Sequence, residues 1–384
     1  MTKDEFETLL IRGAFDADPV TGALTPPIYQ TATYRQFELG VEQRFDYSRS
    51  ANPTRALLED RIALLEEGRH GYAFSSGMAA ITAVLCLFGS GDEILVPRDL
   101  YGGTLRLLDA HFKNFGINWR AADTTDLDSL RRAFSPATRA IILESPTNPT
   151  LRVSDIAAVC EIARSRGALS IVDNTFLTPY FQRPLTLGAD IVIHSATKYL
   201  AGHNDVLAGL VVLKDDALAE RLLMIQKSTG GVLAPFDSYL LLRGMKTLAV
   251  RLDRESESAL AIARWLSSRP EAARVYYPGL ETDPGYGINS AQAAAAGGLL
   301  SFDLDETHDV KKFTSSLELF TLAESLGSVE SMACHPATMS HASVSAEMRE
   351  EMGISYSLIR LAIGLEGLRH LIGDLEKAFG ASKL

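Results

Sequence analysis

The sequence predicts an α/β protein with a larger domain built on a mostly parallel sheet and a smaller C-terminal domain. From about Thr54 to about Lys227, short apolar segments alternate with amphipathic segments, several of which end at a glycine. Strands that alternate with helices of roughly 10–15 residues form a parallel sheet covered on both faces. After about Pro235 long helical segments replace this alternation, which places a domain boundary near residues 235–245.

The elements of the larger domain follow from their apolar pattern and their end signals. Short apolar runs predict strands in YAF, EILVP, RAIILES, ALSIVDN, ADIVIHS and AGLVVL. Helices are predicted for TRALLEDRIALLEEG, which closes at Gly68, for the apolar segment that follows SSG, and for TLRLLDAHFKNFG, which ends at Gly116. A further helix, SDIAAVCEIARSRG, has Ser154 as its predicted N-cap and Gly167 at its C-terminal end.

The two ends of the chain have different textures. The first forty-odd residues contain TGALTPPIYQTATY, and this Thr, Pro and Gly content predicts an extended arm. In the C-terminal part, FDSYLLLRGMKTLAVRLDRESESALAIARWLSS predicts long helix broken near Gly244. Two strands, GLLSFDL and LIRLAIGLE, and a final amphipathic helix, LRHLIGDLEKAF, complete the smaller domain.

Composition excludes several classes of protein. With 384 residues the chain can bury a sizeable core, and a net charge of −11 argues against a non-specific nucleic-acid binder. Its three cysteines, Cys86, Cys160 and Cys334, lie far apart without zinc-site spacing, which favours a reducing compartment and no metal. No signal peptide and no apolar stretch of about 18 residues is visible, so we expect a cytoplasmic protein without membrane contact.

Polar side chains follow three neighbouring strands of the predicted sheet. IILE leads to Asn148, SIVD ends at Asp173, and VIHS ends at Ser195 with Thr197 and Lys198 just beyond it. Ligands of open α/β sheets bind beyond the carboxyl ends of the strands. Each residue alone has an ordinary interpretation, such as a helix cap for the aspartate or a solvated charge for the lysine, but together they predict one ligand site.

The segment SSGMAA, residues 75–80, joins a strand to a helix through small residues. Free N–H groups at a helix N-terminus favour a phosphate, although a plain cap by Ser75 or Ser76 explains the segment equally well. A phosphate, a carboxylate that matches an aromatic nitrogen, and a lysine that matches a carbonyl together indicate pyridoxal 5′-phosphate (PLP). Partial burial behind an apolar strand would give that lysine the lowered pKa that Schiff-base chemistry requires.

The whole chain resembles the Cys/Met-metabolism (transsulfuration) family of fold-type I PLP-dependent enzymes. The resemblance is carried, in order, by PPIYQTATY, YSRSANPTR, SSGMAAI, DLYGGTLRL, ESPTNPTLRVSDI, VDNTF, HSATKYLAGHNDV, LRGMKTL, FTLAESLGSVES and LIRLAIGLE. It implies the fold-type I transferase fold, whose large domain has a mostly parallel seven-stranded sheet. It also implies three regions, namely an arm that contacts a neighbouring subunit (1–50), a PLP-binding large domain (51–240) and a small domain (241–384).

The resemblance also assigns roles to single residues. It makes Lys198 the Schiff-base lysine, Asp173 the partner of the pyridine nitrogen, Asn148 a donor to the ring oxygen, and Tyr101 a stacking and proton-transferring phenol. It makes Ser195, Thr197 and the backbone of Gly77 and Met78 the phosphate site, and gives the substrate carboxylate to Arg360, Ser325 and Asn148. Without the family, Tyr101 is interpreted as a loop aromatic packed on the core. For Arg360 the alternative is a surface arginine on an edge strand, but a single charge in the middle of an apolar strand favours a buried, paired role.

By the same resemblance, Tyr47 and Arg49 reach the phosphate of the neighbouring subunit, which implies a dimer with shared sites that pairs into a homotetramer. The implied activity is γ-elimination or γ-replacement on homocysteine- and homoserine-derived amino acids, as in cystathionine γ-lyase or γ-synthase. Asp46 and Glu324 are acidic as in cystathionine-handling members, though both are equally interpretable as ordinary loop acids. Gly103 stands where methionine γ-lyases typically have cysteine.

Other activities remain open at this point. Methionine γ-lyase, O-acylhomoserine sulfhydrylase and cystathionine β-lyase share nearly all the residues named above. Family members often have ESLGG where this chain has Ser328 after Gly327, which leaves the substrate preference open. An aminotransferase of the same fold is the alternative from a different class, and Tyr101 and ESLGSVES argue against it.

Overall fold

The computed structural model describes residues 1–13, 15–342 and 344–384. Strands within these ranges are β1 (His70–Phe74), β2 (Glu93–Pro97), β3 (Asn118–Ala122), β4 (Thr138–Glu144), β5 (Leu169–Asp173), β6 (Ile191–Ser195), β7 (Gly209–Leu213), β8 (Ala272–Tyr276), β9 (Leu299–Leu304), β10 (Thr321–Leu322), β11 (Met332–Cys334) and β12 (Leu358–Ala362). The α-helices are α1 (Lys3–Arg12), α2 (Pro53–Leu65), α3 (Gly77–Leu85), α4 (Gly102–Ala110), α5 (Leu127–Ala133), α6 (Ile156–Ser165), α7 (Thr178–Phe181), α8 (Asp216–Thr229), α9 (Pro235–Met245), α10 (Leu248–Ser267), α11 (Tyr286–Gln292), α12 (Val310–Ser315), α13 (Ala346–Glu351) and α14 (Leu368–Ser382).

The larger sheet has seven strands in the order β1-β7-β6-β5-β4-β2-β3. Strands β2 to β6 run parallel, and β7 is antiparallel to both of its neighbours. The predicted mostly parallel seven-stranded sheet is therefore confirmed. The edge strand β3 escaped prediction because its residues are mostly exposed and form no apolar run.

Both faces of this sheet are buried, which explains its continuous apolar strands. On β6, Ile193 packs in one apolar layer and Val192 in the other. Because side chains alternate along a strand, Ser195 projects on the same face as Ile193, and Asp173 on the same face as Ile171 of β5. The two polar residues thus leave the sheet on one face, at the carboxyl ends of adjacent strands.

The smaller sheet has five strands in the order β10-β11-β12-β9-β8. Arg360 lies on its central strand β12, opposite Cys334 of β11 and Ser301 of β9. The alternative of a surface arginine on an edge strand is therefore wrong, and Arg360 is buried, as the apolar strand around it predicts. The helical break predicted near Gly244 follows that residue closely, because α9 ends at Met245 and α10 begins at Leu248. Gly244 itself lies in the last turn of α9, where a Cβ would stand 2.3 Å from the Ala201 carbonyl oxygen.

Three local predictions need correction. Asp155, and not Ser154, caps α6, because its side chain accepts from Ala158 N at 2.9 Å while the Ser154 hydroxyl pairs with Thr124. The helix predicted up to Gly116 ends at Ala110 and continues as a 3₁₀ turn over Phe112–Phe115. The N-terminal arm begins with α1, whose Phe6 and Leu10 are buried.

The limits of the three regions, residues 1–50, 51–240 and 241–384, remain predictions. Among the described residues, no helix is long and apolar enough to cross a membrane.

Candidate active site

A cavity of about 220 Å³ opens beyond the carboxyl ends of β4, β5 and β6, where residues of the C-terminal part of the chain close over the larger sheet. Its lining includes most of the side chains predicted for the site, namely Gly77, Met78, Tyr101, Asn148, Asp173, Ser195, Thr197, Lys198, Glu324 and Arg360. The fold thus brings together residues that are far apart in the sequence.

Lys198 enters this cavity from the turn that follows β6. The Lys198 N–H donates to the Ser195 carbonyl at 3.2 Å, and its Nζ donates to the Ser325 hydroxyl at 3.1 Å. Burial, helped by the positive charge of Arg360, lowers the pKa of Lys198 from 10.5 to about 8. About a tenth of this amine is therefore neutral, and nucleophilic, at pH 7, far more than for a lysine with the ordinary pKa.

Asp173 ends β5 inside the same cavity. Its Oδ1 accepts hydrogen bonds from the hydroxyl and the backbone N–H of Thr175, at 2.5 and 3.0 Å. Burial raises the pKa of Asp173, and the Thr175 bonds and the nearby His194 oppose that rise. A cationic hydrogen-bond donor at the free Oδ2 would stabilise the ionised form.

The N-terminus of α3 faces Ser195. The Ser76 hydroxyl caps the helix by accepting from Ala79 N at 3.1 Å. Within the described part of the chain, the N–H groups of Gly77 and Met78 find no acceptor. A Cβ on Gly77 would lie 2.9 Å from the Ser195 Oγ, so only glycine lets these groups approach so closely. The Ser76 cap therefore leaves two N–H donors free, and these donors suit a phosphate.

Arg360 forms the wall that faces Lys198. Its Nη1 donates to Asn148 Oδ1 at 2.8 Å and its Nη2 to the Ser325 carbonyl at 2.9 Å. The side chain is 2% exposed, its buried Nε has no partner, and no carboxylate of the described residues lies within 4 Å of it. A buried cation without an anion is costly, and a bound carboxylate would offset this cost with bidentate hydrogen bonds.

Tyr101 stands at the mouth of the cavity, just before α4. Its backbone N donates to Glu144 Oε2 at 3.3 Å. The ring lies against Gly103, as the short distance of 2.4 Å between a Cβ built at Gly103 and Tyr101 Cε1 shows. The residue is 40% exposed, so its phenol is accessible from the cavity and from solvent.

Four predicted residues are absent from the cavity lining. Ser325 is one of them, although it contacts Lys198 and Arg360, and the other three lie in an exposed loop. Asp46 accepts from the backbone N of Tyr47 at 2.6 Å, and Tyr47 itself is 45% exposed. The guanidinium of Arg49 donates to the Lys227 carbonyl and lies 5.5 Å from the centre of the Tyr47 ring. That Tyr47 and Arg49 reach the phosphate site of a neighbouring subunit stays a prediction.

The sequence analysis missed seven residues that line the cavity: the apolar residues Ile81, Phe176, Leu207 and Leu326, and the polar residues Glu144, Thr175 and Ser340. Glu144 and Thr175 flank predicted strand ends, so counting every polar residue at those ends would have found them. Ser340 comes from the loop after β11 and Phe176 is apolar, and neither carries a signal that separates it from ordinary loop or core residues.

Comparisons with known proteins agree on one family. A family model described as "Cys/Met metabolism PLP-dependent enzyme" matches residues 7–380. Cystathionine gamma-lyase of Bacillus subtilis (strain 168) is 49% identical, and cystathionine beta-lyase of Lactococcus lactis subsp. cremoris (strain MG1363) is 50% identical, each over 97% of this chain and 98% of the relative. The crystal structure of cystathionine gamma-lyase from Lactobacillus plantarum complexed with L-serine superposes with a TM-score of 0.96 at 46% identity, covering 98% of this chain and 99% of that one.

Proposed function

The chain belongs to the Cys/Met-metabolism family of PLP-dependent enzymes, and from that premise we propose that it acts at Cγ of cystathionine-type amino acids, as a cystathionine γ-lyase or γ-synthase. Its cofactor is PLP. The observation that carries the proposal is that one cavity holds a lysine of lowered pKa, Lys198, a buried guanidinium without an anion, Arg360, and an acid near its mouth, Glu324.

The residues of the cavity fit PLP. The unpaired N–H groups of Gly77 and Met78, with the Ser195 hydroxyl beside them, suit its phosphate. The free oxygen of Asp173 suits a protonated pyridine nitrogen, and Lys198 suits its aldehyde. When bound, PLP supplies an aldehyde that takes the substrate amine and a ring that accepts electrons from Cα.

The side chains of this chain then bind the substrate and move its protons. Arg360 binds the α-carboxylate through its Nε and one Nη, while Asn148 and the Ser325 carbonyl keep the guanidinium in plane. Lys198 Nζ, released from Ser325, takes the proton from Cα and moves a proton at Cβ. The phenol of Tyr101 assists proton transfer to the sulfur that leaves Cγ.

Glu324 gives the site its preference for cystathionine. It lines the cavity together with Arg360, and a carboxylate at this place attracts the distal ammonium of cystathionine or the amine of incoming cysteine. Departure of cysteine without a replacement is γ-elimination, and attack of a thiol at Cγ is γ-replacement, so the same residues serve both reactions.

Cystathionine β-cleavage is the second candidate, because a relative named cystathionine beta-lyase is as similar as the relative named gamma-lyase. Methionine γ-lyase and O-acylhomoserine sulfhydrylase activities are less favoured, since they give the acid at Glu324 no distal ammonium to bind. An aminotransferase reaction needs no leaving-group donor such as Tyr101.

We further propose that the active unit is a dimer, assembled into a tetramer, in which Tyr47 and Arg49 complete the phosphate site of the partner subunit. Their exposed position outside the lining of their own cavity supports this arrangement. A cytoplasmic location also remains part of the proposal.

Product analysis of the purified protein tests the proposed reaction. The protein is incubated separately with cystathionine and with O-acylhomoserine plus cysteine. Cysteine and 2-oxobutanoate from the first mixture would identify a γ-lyase, and cystathionine from the second, with little breakdown in the first, a γ-synthase. Pyruvate and homocysteine from cystathionine would identify β-cleavage instead and overturn the Cγ proposal.

A further inference from the structure

Glu144 is the last residue of β4 and lines the cavity, yet nothing above gives it a chemical task. It is 7% exposed, and its Cα pairs in register with that of Asp173 on β5. Within the described residues no Lys, Arg or His nitrogen lies within 4 Å of its carboxylate. A buried carboxylate and a partly buried one thus stand side by side, and no basic nitrogen of the described residues contacts either.

This arrangement favours the uncharged form of one of the two acids, because a buried charge without a partner is costly and like charges repel. Burial, Asp173 and Asp99 raise the pKa of Glu144 well above its usual value, and only the Tyr101 N–H and Arg360 oppose them. Asp173 accepts two hydrogen bonds from Thr175, whereas Glu144 accepts one, from the Tyr101 N–H, so Glu144 is the more readily protonated of the two acids.

Glu144 accepts a hydrogen bond from the backbone of Tyr101. Tyr101 precedes α4 and offers no side-chain cap to it, and Glu144 Oε2 accepts from the Tyr101 N–H at 3.3 Å. One further anchor holds the loop before α4, since Asp99 accepts from the hydroxyls of Thr147 and Thr150 at 2.5 and 2.7 Å. Tyr101 is 40% exposed and its ring lies against Gly103, so the backbone hydrogen bond to Glu144 contributes to the placement of that ring.

We propose that Glu144 is a positioning residue that works as an uncharged carboxylic acid and holds Tyr101 in place beside the cofactor cavity. The inference rests on the proposed function, because it concerns the phenol that serves the departing sulfur. The carbonyl oxygen of the uncharged acid accepts the hydrogen bond from the Tyr101 N–H, so this interaction does not require a negative charge on Glu144.

Two substitutions separate the acceptor from the charge. Glu144→Gln keeps an oxygen acceptor of the same reach without a charge, and we expect kcat/KM for cystathionine to fall by at most about threefold. Glu144→Asp keeps the acid but withdraws the acceptor by one methylene, and we expect a loss of about tenfold, mostly in kcat. A loss of thirtyfold or more in Glu144→Gln would show that the charge is needed and would overturn the proposal, as would an unchanged Glu144→Asp.

A double-mutant cycle with Tyr101→Phe shows whether Glu144 acts through Tyr101. When two residues act through the same contact, the double variant loses less activity than the product of the losses in the two single variants. We therefore expect Glu144→Asp to cost about threefold or less once the phenol hydroxyl is gone. Losses that multiply would overturn the link to Tyr101.

A second readout is independent of turnover. The visible circular dichroism of bound PLP reports the asymmetry of its surroundings, and we expect it to change in Glu144→Asp and to be preserved in Glu144→Gln. PLP affinity, measured by equilibrium dialysis, should stay within about threefold in both, because the phosphate site and Lys198 are untouched. If the wild-type protein neither cleaves cystathionine nor forms it from O-acylhomoserine and cysteine, the proposed function is refuted instead, so the two failures are distinguishable.

Discussion

Arg360 Nη1 donates to Asn148 Oδ1 at 2.8 Å, although 212 residues separate the two in the sequence. This hydrogen bond joins the central strand of the smaller sheet to the loop that follows β4 of the larger one. It holds the guanidinium with its Nε unpaired, in the wall of the cavity that Lys198 enters. The position of this unpaired guanidinium, the proposed receptor of the substrate carboxylate, therefore depends on a contact between the smaller sheet and the loop after β4.

Replacing Arg360 by lysine should weaken substrate binding selectively. Lysine carries the charge but lacks the planar fork, so a bidentate carboxylate contact is lost and Asn148 Oδ1 loses its donor. We expect KM for cystathionine to rise by roughly ten- to hundredfold while the visible absorbance of bound PLP persists. Arg254→Lys, on the exposed face of α10, is the matched control. An unchanged KM would remove Arg360 from substrate binding.

The pKa of Lys198 predicts how the apoprotein takes up PLP. Only the neutral amine attacks an aldehyde, and burial with the positive charge of Arg360 lowers this pKa to about 8. The rate of recovery of the visible band should therefore rise about tenfold per pH unit below pH 8 and level off above it. Arg360→Gln removes a positive charge, so the inflection should move to higher pH. An inflection near the ordinary value of 10.5 would contradict the burial of this amine.

Gly103 leaves space for the ring of Tyr101. A Cβ at Gly103 would lie 2.4 Å from Cε1 and 3.0 Å from Cζ of that ring, whereas a Cβ at Gly102 would meet only the Ser340 carbonyl at 3.5 Å. Gly103→Ala should displace the ring and lower kcat by about tenfold, and Gly102→Ala should have a much smaller effect. Both variants should bind PLP. Equal effects of the two alanines would point to the helix backbone instead of the ring.

Glu324 should distinguish substrates by their distal ammonium. Glu324→Gln removes the charge that attracts it, and we expect kcat/KM for cystathionine to fall about tenfold, with a change of less than about threefold for O-acylhomoserine elimination, since that substrate lacks the ammonium. Glu318→Gln, an exposed glutamate paired with Lys377, is the control. Parallel losses on both substrates would assign Glu324 a general role.

Shared active sites can be tested by mixing two inactive variants. Lys198→Ala removes the reactive amine, and Arg49→Ala removes the proposed contact with the phosphate of the partner subunit. After subunit exchange, half of the dimers are hybrids, and one site in each has neither change, so about a quarter of the wild-type activity should return. No recovery, with exchange verified by mass spectrometry of tagged subunits, would confine Arg49 to its own subunit.

The residues at the strand ends were predictable because their arrangement follows from local pattern and general topology. Apolar runs fix β4, β5 and β6, and parallel strands of one sheet end at the same edge, so Asn148, Asp173 and Ser195 meet there. Ser154 shows the limit of this reasoning. Two neighbouring residues, Ser154 and Asp155, can both cap a helix, and only the tertiary contact of Ser154 with Thr124 decides between them.

By itself, the sequence determined the α/β class, the larger sheet, the helix signals and the family resemblance, because these depend on short-range periodicity and on motifs in order along the chain. Only the tertiary structure decided that Arg360 lies on a central strand with an unpaired Nε, that Glu144 accepts from Tyr101, and that the Tyr101 ring fills the space at Gly103. These are contacts between distant segments, and their geometry depends on how the two sheets and the loop before α4 pack together, which no local pattern encodes.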